Sequence, residues 1–165
     1  MPTKKIQSEW IGKLAPDFKV PDQDGKERTL KDFSSKYLLL YFYPKDLTPG
    51  CTTQACNFRD TKSEVEALDL EIVGVSCDDV EKHQKFIAKH ELNFTLLADT
   101  EKDIVNKYGV WVEKSMYGKK YMGIQRDSFL INKEGKIIKH YIKVKPKEHI
   151  DEVMKDMQNI TEIDV

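Results

Sequence analysis

Residues 37 to 56 read YLLLYFYPKDLTPGCTTQAC, and they contain the strongest signals for the fold. Its first part, from Tyr37 to Tyr43, is aromatic or aliphatic throughout, which predicts a central strand buried on both faces. Pro44 ends that strand because proline cannot donate to a β-ladder. After the Thr48-Pro49-Gly50 turn, a helix is predicted from about Cys51 to Leu68. The stretch therefore places a cysteine at a helix start, just beyond the carboxyl end of a buried strand.

The rest of the chain alternates strands and helices and resembles the thioredoxin-like plan, an α/β sandwich with a central mixed β-sheet flanked by helices. No repeat or linker divides it, so residues 1–165 are expected to form a single domain, with residues 1–10 as a loosely attached arm. An extra N-terminal hairpin is predicted over Phe18–Val20 and Arg28–Leu30. Further strands are predicted at Glu71–Ser76, Phe94–Leu97, Ser128–Asn132 and Ile137–Tyr141, and further helices at about Val80–Lys89, Lys102–Tyr108 and Pro146–Met157.

Composition excludes several function classes. The chain has 27 Lys and Arg against 28 Asp and Glu, a formal charge of -1, which gives no basic field for nucleic acid or acidic membranes. The longest apolar run, Leu38 to Phe42, is far shorter than the roughly 18 residues of a membrane span. The N-terminus lacks the apolar segment of a signal peptide, so we expect a soluble, cytoplasmic protein.

The number and positions of the cysteines are compatible with redox chemistry and with two other roles. Three cysteines in a chain expected in a reducing compartment argue against a stabilising disulfide framework, and leave transient redox chemistry, metal binding or core packing open. Cys51 falls in the first helical turn, where unpaired N–H groups and the helix dipole favour a thiolate, the form that attacks peroxide oxygen. Thr48 can hydrogen-bond both the sulfur and a bound peroxide oxygen. Pro44 and Pro49 stiffen the loop and shield the thiolate from water.

Cys56 lies five residues after Cys51. In an ideal helix, Cα atoms five residues apart are about 8 to 9 Å from each other and on different faces. A disulfide needs Cα atoms within roughly 4.4–6.8 Å, so these two cysteines cannot join while the helix is intact. If they react, the first helical turns must unwind. Taken alone, the C-x-x-x-x-C spacing is equally compatible with two small buried side chains.

The residues around Cys51 resemble the peroxiredoxin signature, and Thr48-Pro49-Gly50-Cys51-Thr52-Thr53-Gln54-Ala55-Cys56 is similar to the peroxiredoxin Q branch, also called bacterioferritin comigratory protein. The likeness covers about residues 10 to 160 in order. Other segments that agree with it are Ala15-Pro16-Asp17-Phe18, Val73-Gly74-Val75-Ser76, Tyr117-Gly118-Lys119, Gly123-Ile124-Gln125-Arg126 and Phe129-Leu130-Ile131.

The resemblance implies a thiol peroxidase for hydrogen peroxide and organic hydroperoxides. Cys51 matches the peroxidatic cysteine, which becomes a sulfenic acid, and Cys56 matches the resolving cysteine, which forms an intramolecular disulfide with it. Arg126 matches the arginine that stabilises the thiolate and polarises the peroxide. Four further matching positions are assigned to the site: Pro44, which covers the pocket, Thr48, which orients peroxide, Gly50 in the substrate-binding set, and Gln54, which supports the Arg126 network.

The same resemblance implies no organic cofactor and no metal, because the sulfur carries the oxidation. It also implies a reductant for the disulfide, a thioredoxin or, as a substitute, a glutaredoxin. Because attack and resolution can occur within one chain, we expect a monomer.

Alternatives to this interpretation depend on particular residues. A thioredoxin-type disulfide reductase usually needs C-x-x-C, which the five-residue spacing does not supply. A metal-binding or redox-sensing module would use the three cysteines and a histidine, but no ligand set is spaced for it. Arg126, one of three arginines among many lysines, could instead form an exposed ion pair with Asp127. Cys77 is expected to be a buried or half-buried residue at a strand end, with an alternative resolving thiol as the other interpretation. The four histidines are expected to be surface or satisfied core residues: His83, His90, His140 and His149.

Overall fold

The computed structural model describes residues 9–163, with side chains through residue 160. This part of the chain contains nine strands, five α-helices and a short 3-10 helix at Leu30–Phe33. The strands are β1 Lys19–Pro21, β2 Glu27–Thr29, β3 Tyr37–Phe42, β4 Leu70–Ser76, β5 Thr95–Ala98, β6 Trp111–Met116, β7 Lys119–Ile124, β8 Ser128–Ile131 and β9 Ile137–Tyr141. The α-helices are α1 Pro49–Asp60, α2 Lys62–Ala67, α3 Val80–His90, α4 Asp103–Lys107 and α5 His149–Ile163.

The central sheet has five strands in the order β5-β4-β3-β8-β9. Strand β3 is parallel to β4 and antiparallel to β8, so the sheet is mixed. Strands β1 and β2 form the separate N-terminal antiparallel pair that the sequence predicts. Together these features are the expected thioredoxin-like arrangement with an N-terminal hairpin.

Strand β3 divides the hydrophobic core into two layers. Leu38, Leu40 and Phe42 belong to a cluster that includes α4 residues, while Leu39 and Tyr41 belong to a cluster that includes residues of α1 and α5. Every β3 residue after Tyr37 is at most 1% exposed, which confirms a strand buried on both faces. Because β3 is the middle strand of the sheet, the loop that follows it is held over the core.

The single long helix predicted from Cys51 to Leu68 is wrong in its extent. Helix α1 begins two residues earlier, at Pro49, and ends at Asp60, and α2 continues from Lys62. The break lies at Thr61, whose hydroxyl donates back to the Asn57 carbonyl oxygen at 2.7 Å and to the Phe58 carbonyl oxygen at 3.3 Å. Such back-bonding competes with the helical backbone ladder and bends or ends helices.

Two further differences concern the second half of the chain. Strands β6 and β7 form an antiparallel hairpin that the sequence analysis did not predict. The last helix begins at His149, three residues after its predicted start at Pro146, and extends beyond Met157. Within the described residues, no helix combines the length and the apolar character needed to cross a membrane.

Most of the predicted arm, residues 1–8, lies outside the described residues. Trp10, at its end, packs against the core with its ring stacked on Tyr108 at 6.0 Å and edge-on to Phe129 at 5.6 Å. The chain is therefore anchored to the domain from this residue onward.

Candidate active site

Cys51 is the third residue of α1 and is 2% exposed. Thr48, in extended conformation, is the N-cap, and Pro49 occupies the first helical turn, a position where its missing N–H costs no hydrogen bond. The sulfur thus lies at the positive end of the helix dipole and within the core cluster beside β3. This is the placement that the sequence predicts.

Arg126 lies in the segment between β7 and β8, and its guanidinium contacts Cys51 in α1. Its Nη2 atom donates to Cys51 Sγ at 2.9 Å, and Nη1 donates to Gln54 Oε1 at 3.2 Å. One guanidinium therefore connects two residues of α1 that lie one turn apart. The alternative ion pair of Arg126 with Asp127 is wrong, because the Asp127 carboxylate instead pairs with His140 Nε2 at 2.8 Å.

Gly50 allows this close approach. A Cβ atom at residue 50 would lie 3.1 Å from Arg126 Nη2, a shorter distance than ordinary packing allows. The absence of a side chain at Gly50 therefore leaves the space that the guanidinium occupies next to Cys51.

Gln54 is buried at 1% exposure, and only its oxygen has a partner among the described residues. That oxygen accepts from Arg126, whereas the amide nitrogen Nε2 is left without an acceptor. The Gln54 amide thus directs its oxygen to the guanidinium, and its buried nitrogen makes no hydrogen bond among the described residues. This contact agrees with the supporting position that the resemblance gives to Gln54.

Thr48 and Pro44 lie in the same loop and are both half-buried. The Thr48 hydroxyl donates to the Lys45 carbonyl oxygen at 2.8 Å, so its proton is engaged within the loop. The hydrogen bond that Cys51 Sγ accepts comes from Arg126 instead. The structure therefore brings Arg126 to Cys51, with Gln54 and Gly50 against the same guanidinium, and keeps Thr48 and Pro44 in the adjoining loop.

All three cysteines are free thiols in this structure. Cys56 lies half-buried within the intact helix α1, as the spacing argument requires for the unoxidised state. Cys77 follows β4 and is also half-buried. Burial, and then the negative charge of Asp99, raise the pKa of the Cys77 thiol to about 11. A thiol of this kind is a poor nucleophile at neutral pH.

A second cation approaches the site from the unpredicted hairpin. Lys114 in β6 and Arg126 line the same cleft, of about 470 Å³. The pKa of Lys114 is lowered by burial and by the positive charge of Arg126, an effect that the negative charge of Cys51 opposes. Sequence reasoning missed Lys114 because nothing near it indicated that the hairpin places this side chain in the cleft beside Arg126. The other lining residues are Val112, Glu113, Ser115, Tyr121, Gln125, Lys143 and Val144.

Two of the histidines, His83 and His149, are buried, His140 is half-buried, and all three are hydrogen-bonded, as expected for satisfied core residues. His83 contacts Asp46, His140 contacts Asp127, and His149 Nε2 lies 2.8 Å from Ser128 Oγ. Burial lowers the pKa of His149 to about 4.

One of these histidines belongs to a possible ligand group. Asp46, Asp78 and His83 place ligand atoms within 4.8 Å of one another, but hydrogen bonds within the protein already engage those atoms. These contacts account for the group without a metal ion.

Comparison with known proteins identifies the family. The model of the AhpC/TSA family matches residues 11–140, most of the chain. The chain belongs to this family. The chain is 48% identical to peroxiredoxin Bcp of Bacillus subtilis over 152 residues, which cover 92% of this chain and 97% of that relative. It is 46% identical to peroxiredoxin Bcp of Escherichia coli K12 over 143 residues, or 87% of this chain and 92% of the relative.

Solved structures of this peroxiredoxin family have the same fold. Peroxiredoxin Q of Xanthomonas campestris superposes with a TM-score of 0.81 at 36% identity, covering 86% of this chain and 90% of that chain. A further structure, titled for the alkyl peroxide reduction activity of the bacterioferritin comigratory protein of the same organism, also gives a TM-score of 0.81, at 35% identity. The resemblance to the peroxiredoxin Q branch and the thioredoxin-like fold are confirmed, and the chain is a thiol peroxidase.

Proposed function

We propose that this peroxiredoxin reduces hydrogen peroxide and organic hydroperoxides with Cys51 as the attacking thiolate and Cys56 as the resolving thiol. The observation that carries the proposal is the 2.9 Å contact from Arg126 Nη2 to Cys51 Sγ at the start of α1. A guanidinium and a helix N-terminus both stabilise negative charge on the sulfur, which is the reactive form. The side chains of Cys51 and Gln54 then hold the guanidinium where a peroxide oxygen would bear developing charge.

In the first step, the Cys51 thiolate attacks the terminal oxygen of the hydroperoxide. The O–O bond breaks, an S–O bond forms, and the leaving alkoxide or hydroxide takes up a proton as alcohol or water. Cysteine sulfur is oxidised by two electrons to the sulfenic acid, and the peroxide is reduced by the same two. Thr48 and Pro44 are proposed to orient the peroxide and to limit the entry of water. Gly50, which lies against the Arg126 guanidinium, is proposed to belong to the substrate-binding set.

In the second step, the Cys56 thiolate attacks the sulfur of the sulfenic acid. An S–S bond forms, the S–O bond breaks, and hydroxide leaves and becomes water. Because both cysteines lie in α1, the first turns of that helix must unwind before the sulfurs can meet. The cycle thus alternates a folded attacking state with a locally unfolded resolving state.

A dithiol reductant must then return the disulfide to two thiols, and we propose a thioredoxin, with a glutaredoxin as a possible substitute. Neither a metal nor an organic cofactor enters these steps. The cycle needs one chain only, so we propose a monomer whose residues 1–165 form a single domain. A reducing compartment, the cytoplasm, suits a chain with three free thiols.

The test is intact mass spectrometry with a disulfide map after one equivalent of hydrogen peroxide. Wild type should lose two hydrogen atoms, with the new bond mapped to Cys51 and Cys56. Cys51→Ser should not be oxidised, and Cys56→Ser should hold the sulfenic acid, which a dimedone-type reagent traps. The cycle fails if wild type stays reduced or if oxidation proceeds equally well without Cys51.

Two further measurements examine the second step. Amide exchange around residues 51 to 60 should increase on oxidation, and unchanged exchange with a formed disulfide would contradict the unwinding. An intramolecular disulfide that includes Cys77 in the Cys56→Ser variant would show that Cys77 is an alternative resolving thiol.

A further inference from the structure

A chain of buried polar groups lies behind the loop that joins β3 to α1. The Tyr43 hydroxyl donates to Asp46 Oδ1 at 2.5 Å, and His83 Nδ1 lies 2.5 Å from Asp46 Oδ2. His83 Nε2 lies 2.9 Å from the Leu97 carbonyl oxygen. The residues Tyr43, Asp46 and His83 are each at most 1% exposed. None of them has a part in the two chemical steps described above.

The hydrogen bonds hold the Asp46 carboxyl group on both oxygens. The Leu97 carbonyl oxygen can only accept, so His83 Nε2 carries a proton. A proton must lie between His83 Nδ1 and Asp46 Oδ2, because two bare acceptors would repel each other at this distance, and Asp46 Oδ1 accepts from Tyr43. The carboxyl group of Asp46 therefore has little freedom to move.

The backbone of Asp46 is held too. Its N–H donates to Asp78 Oδ2 at 2.8 Å, and Asp78 is itself fixed by the Ser76 hydroxyl at 2.7 Å and by Lys82 Nζ at 3.1 Å. Asp46 therefore ties the loop to the end of β4 through Asp78 and to α3 through His83. Buried networks in which all groups are satisfied make a local structure rigid.

The segment between Asp46 and α1 is also restricted in conformation, so the position of Asp46 fixes the position of Cys51. Leu47 adopts a left-handed backbone conformation with φ 65°, and the Thr48 hydroxyl closes the loop onto the Lys45 carbonyl oxygen. Pro49, with its fixed φ, then begins α1. A displacement of Asp46 would therefore displace the start of α1, where Cys51 Sγ meets Arg126.

We propose that Asp46 and His83 are positioning residues for Cys51. They hold the start of α1 in the folded state in which the sulfur contacts Arg126, and they oppose the unwinding that disulfide formation needs. The inference rests on the proposed Cys51 and Cys56 cycle. Weakening the network should slow the attack on peroxide and speed the resolution. A merely structural role would change the two rates in the same direction or leave both alone.

The experiment compares three variants. Tyr43→Phe removes the hydroxyl that donates to Asp46 and leaves the ring in place. Tyr108→Phe is the matched control, because the Tyr108 hydroxyl is also in a buried residue and donates to the Pro16 carbonyl oxygen at 2.7 Å, in the core layer opposite Cys51. Asp46→Asn is the conservative variant: its amide oxygen can accept from Tyr43 and its amide nitrogen can donate to a neutral His83. Rapid quench and mass spectrometry follow sulfenic acid and disulfide in a single turnover.

In Tyr43→Phe, the ratio of the resolution rate to the attack rate should rise ~10-fold, the effect of losing one buried hydrogen bond. The ratio should stay at the wild-type value in Tyr108→Phe, and within about twofold of it in Asp46→Asn, which keeps the contacts. An unchanged ratio in Tyr43→Phe, or an equal change in Tyr108→Phe, would overturn the inference. A wild type that forms no sulfenic acid at Cys51 would instead refute the proposed cycle, before any variant is compared.

Discussion

Gly50→Ala should increase the stability of the protein and at the same time slow the oxidation of Cys51. Gly50 lies in the first turn of the helix and its φ is outside the left-handed region, so alanine can adopt the same backbone conformation. Alanine is the better helix former by up to about 1 kcal/mol. Near the helix end we expect about half of this, so the free energy of unfolding should rise by ~0.5 kcal/mol.

The same substitution should impair the reaction. The new Cβ atom would lie 3.1 Å from Arg126 Nη2, and ordinary contacts begin at 3.4 Å, so the guanidinium must move by about 0.3 Å. Nη2 is the atom that donates to Cys51 Sγ, and the same guanidinium also donates to Gln54. Losing about 1 kcal/mol of a hydrogen bond worth roughly 1.5–3 kcal/mol corresponds to a ~5-fold slower oxidation of Cys51.

Two measurements on the reduced protein check the prediction. Urea unfolding gives the change in stability, and rapid quench with mass spectrometry gives the oxidation rate of Cys51 in the Cys56→Ser background. Thr53→Ala is the control, because the Thr53 hydroxyl donates within α1, to the Pro49 carbonyl oxygen at 3.1 Å. A more stable Gly50→Ala protein that reacts at the wild-type rate would refute the reasoning. A parallel loss of stability and rate would show instead that the backbone rejects alanine.

Three other predictions concern the site and its surroundings. Arg126→Lys keeps the charge but has one nitrogen for the two acceptors on Cys51 and Gln54, so peroxide oxidation should slow roughly 10- to 100-fold; a rate near wild type would show that charge suffices. Because burial lowers the pKa of His149 to about 4 from 6.5, the unfolded state binds more protons between these values, and stability should fall by about 3 kcal/mol as pH decreases through that window. Urea unfolding at pH 7 and pH 4 should show this loss reduced in His149→Gln; an equal loss would contradict it. Cys77, with a pKa of about 11, should react with iodoacetamide at pH 8 roughly 200-fold more slowly than a free cysteine, as judged by mass spectrometry; rapid labelling in the folded protein would disprove it.

Local chemistry made much of the fold predictable. The side chains of β3 are apolar on both faces of the strand, so both faces must be buried, and Pro44 prevents the strand from continuing. The Asp79 side chain accepts from the Lys82 N–H and caps α3, which begins at Val80 as the sequence predicts. Each of these features depends on neighbours within a few residues, and such neighbours can be identified from the sequence.

The features that the sequence did not predict depend on residues distant along the chain or on uncommon local backbone and side-chain conformations. The β6–β7 hairpin is largely exposed, so it has no run of buried side chains to indicate it. Its turn places Tyr117 at φ 52° and Gly118 at φ 77°, and tyrosine is an uncommon residue for that conformation. The break at Thr61 comes from a hydroxyl that donates back to the helix, which threonine does at some helical positions and not at others.

The strand, the loop and the helix start that place Cys51 at the positive end of a dipole can be predicted from the sequence alone, because backbone propensity and proline geometry act locally. Which groups surround the sulfur depends on the tertiary structure. Arg126 lies 75 residues from Cys51 along the chain, and its alternative partner, Asp127, is its immediate neighbour. The antiparallel pairing of β8 with β3 brings Arg126 to α1, and the pairing of β8 with β9 brings His140 to Asp127. Hydrogen bonds of this kind depend on how the strands pair, and pairing across the sheet is a property of the whole chain.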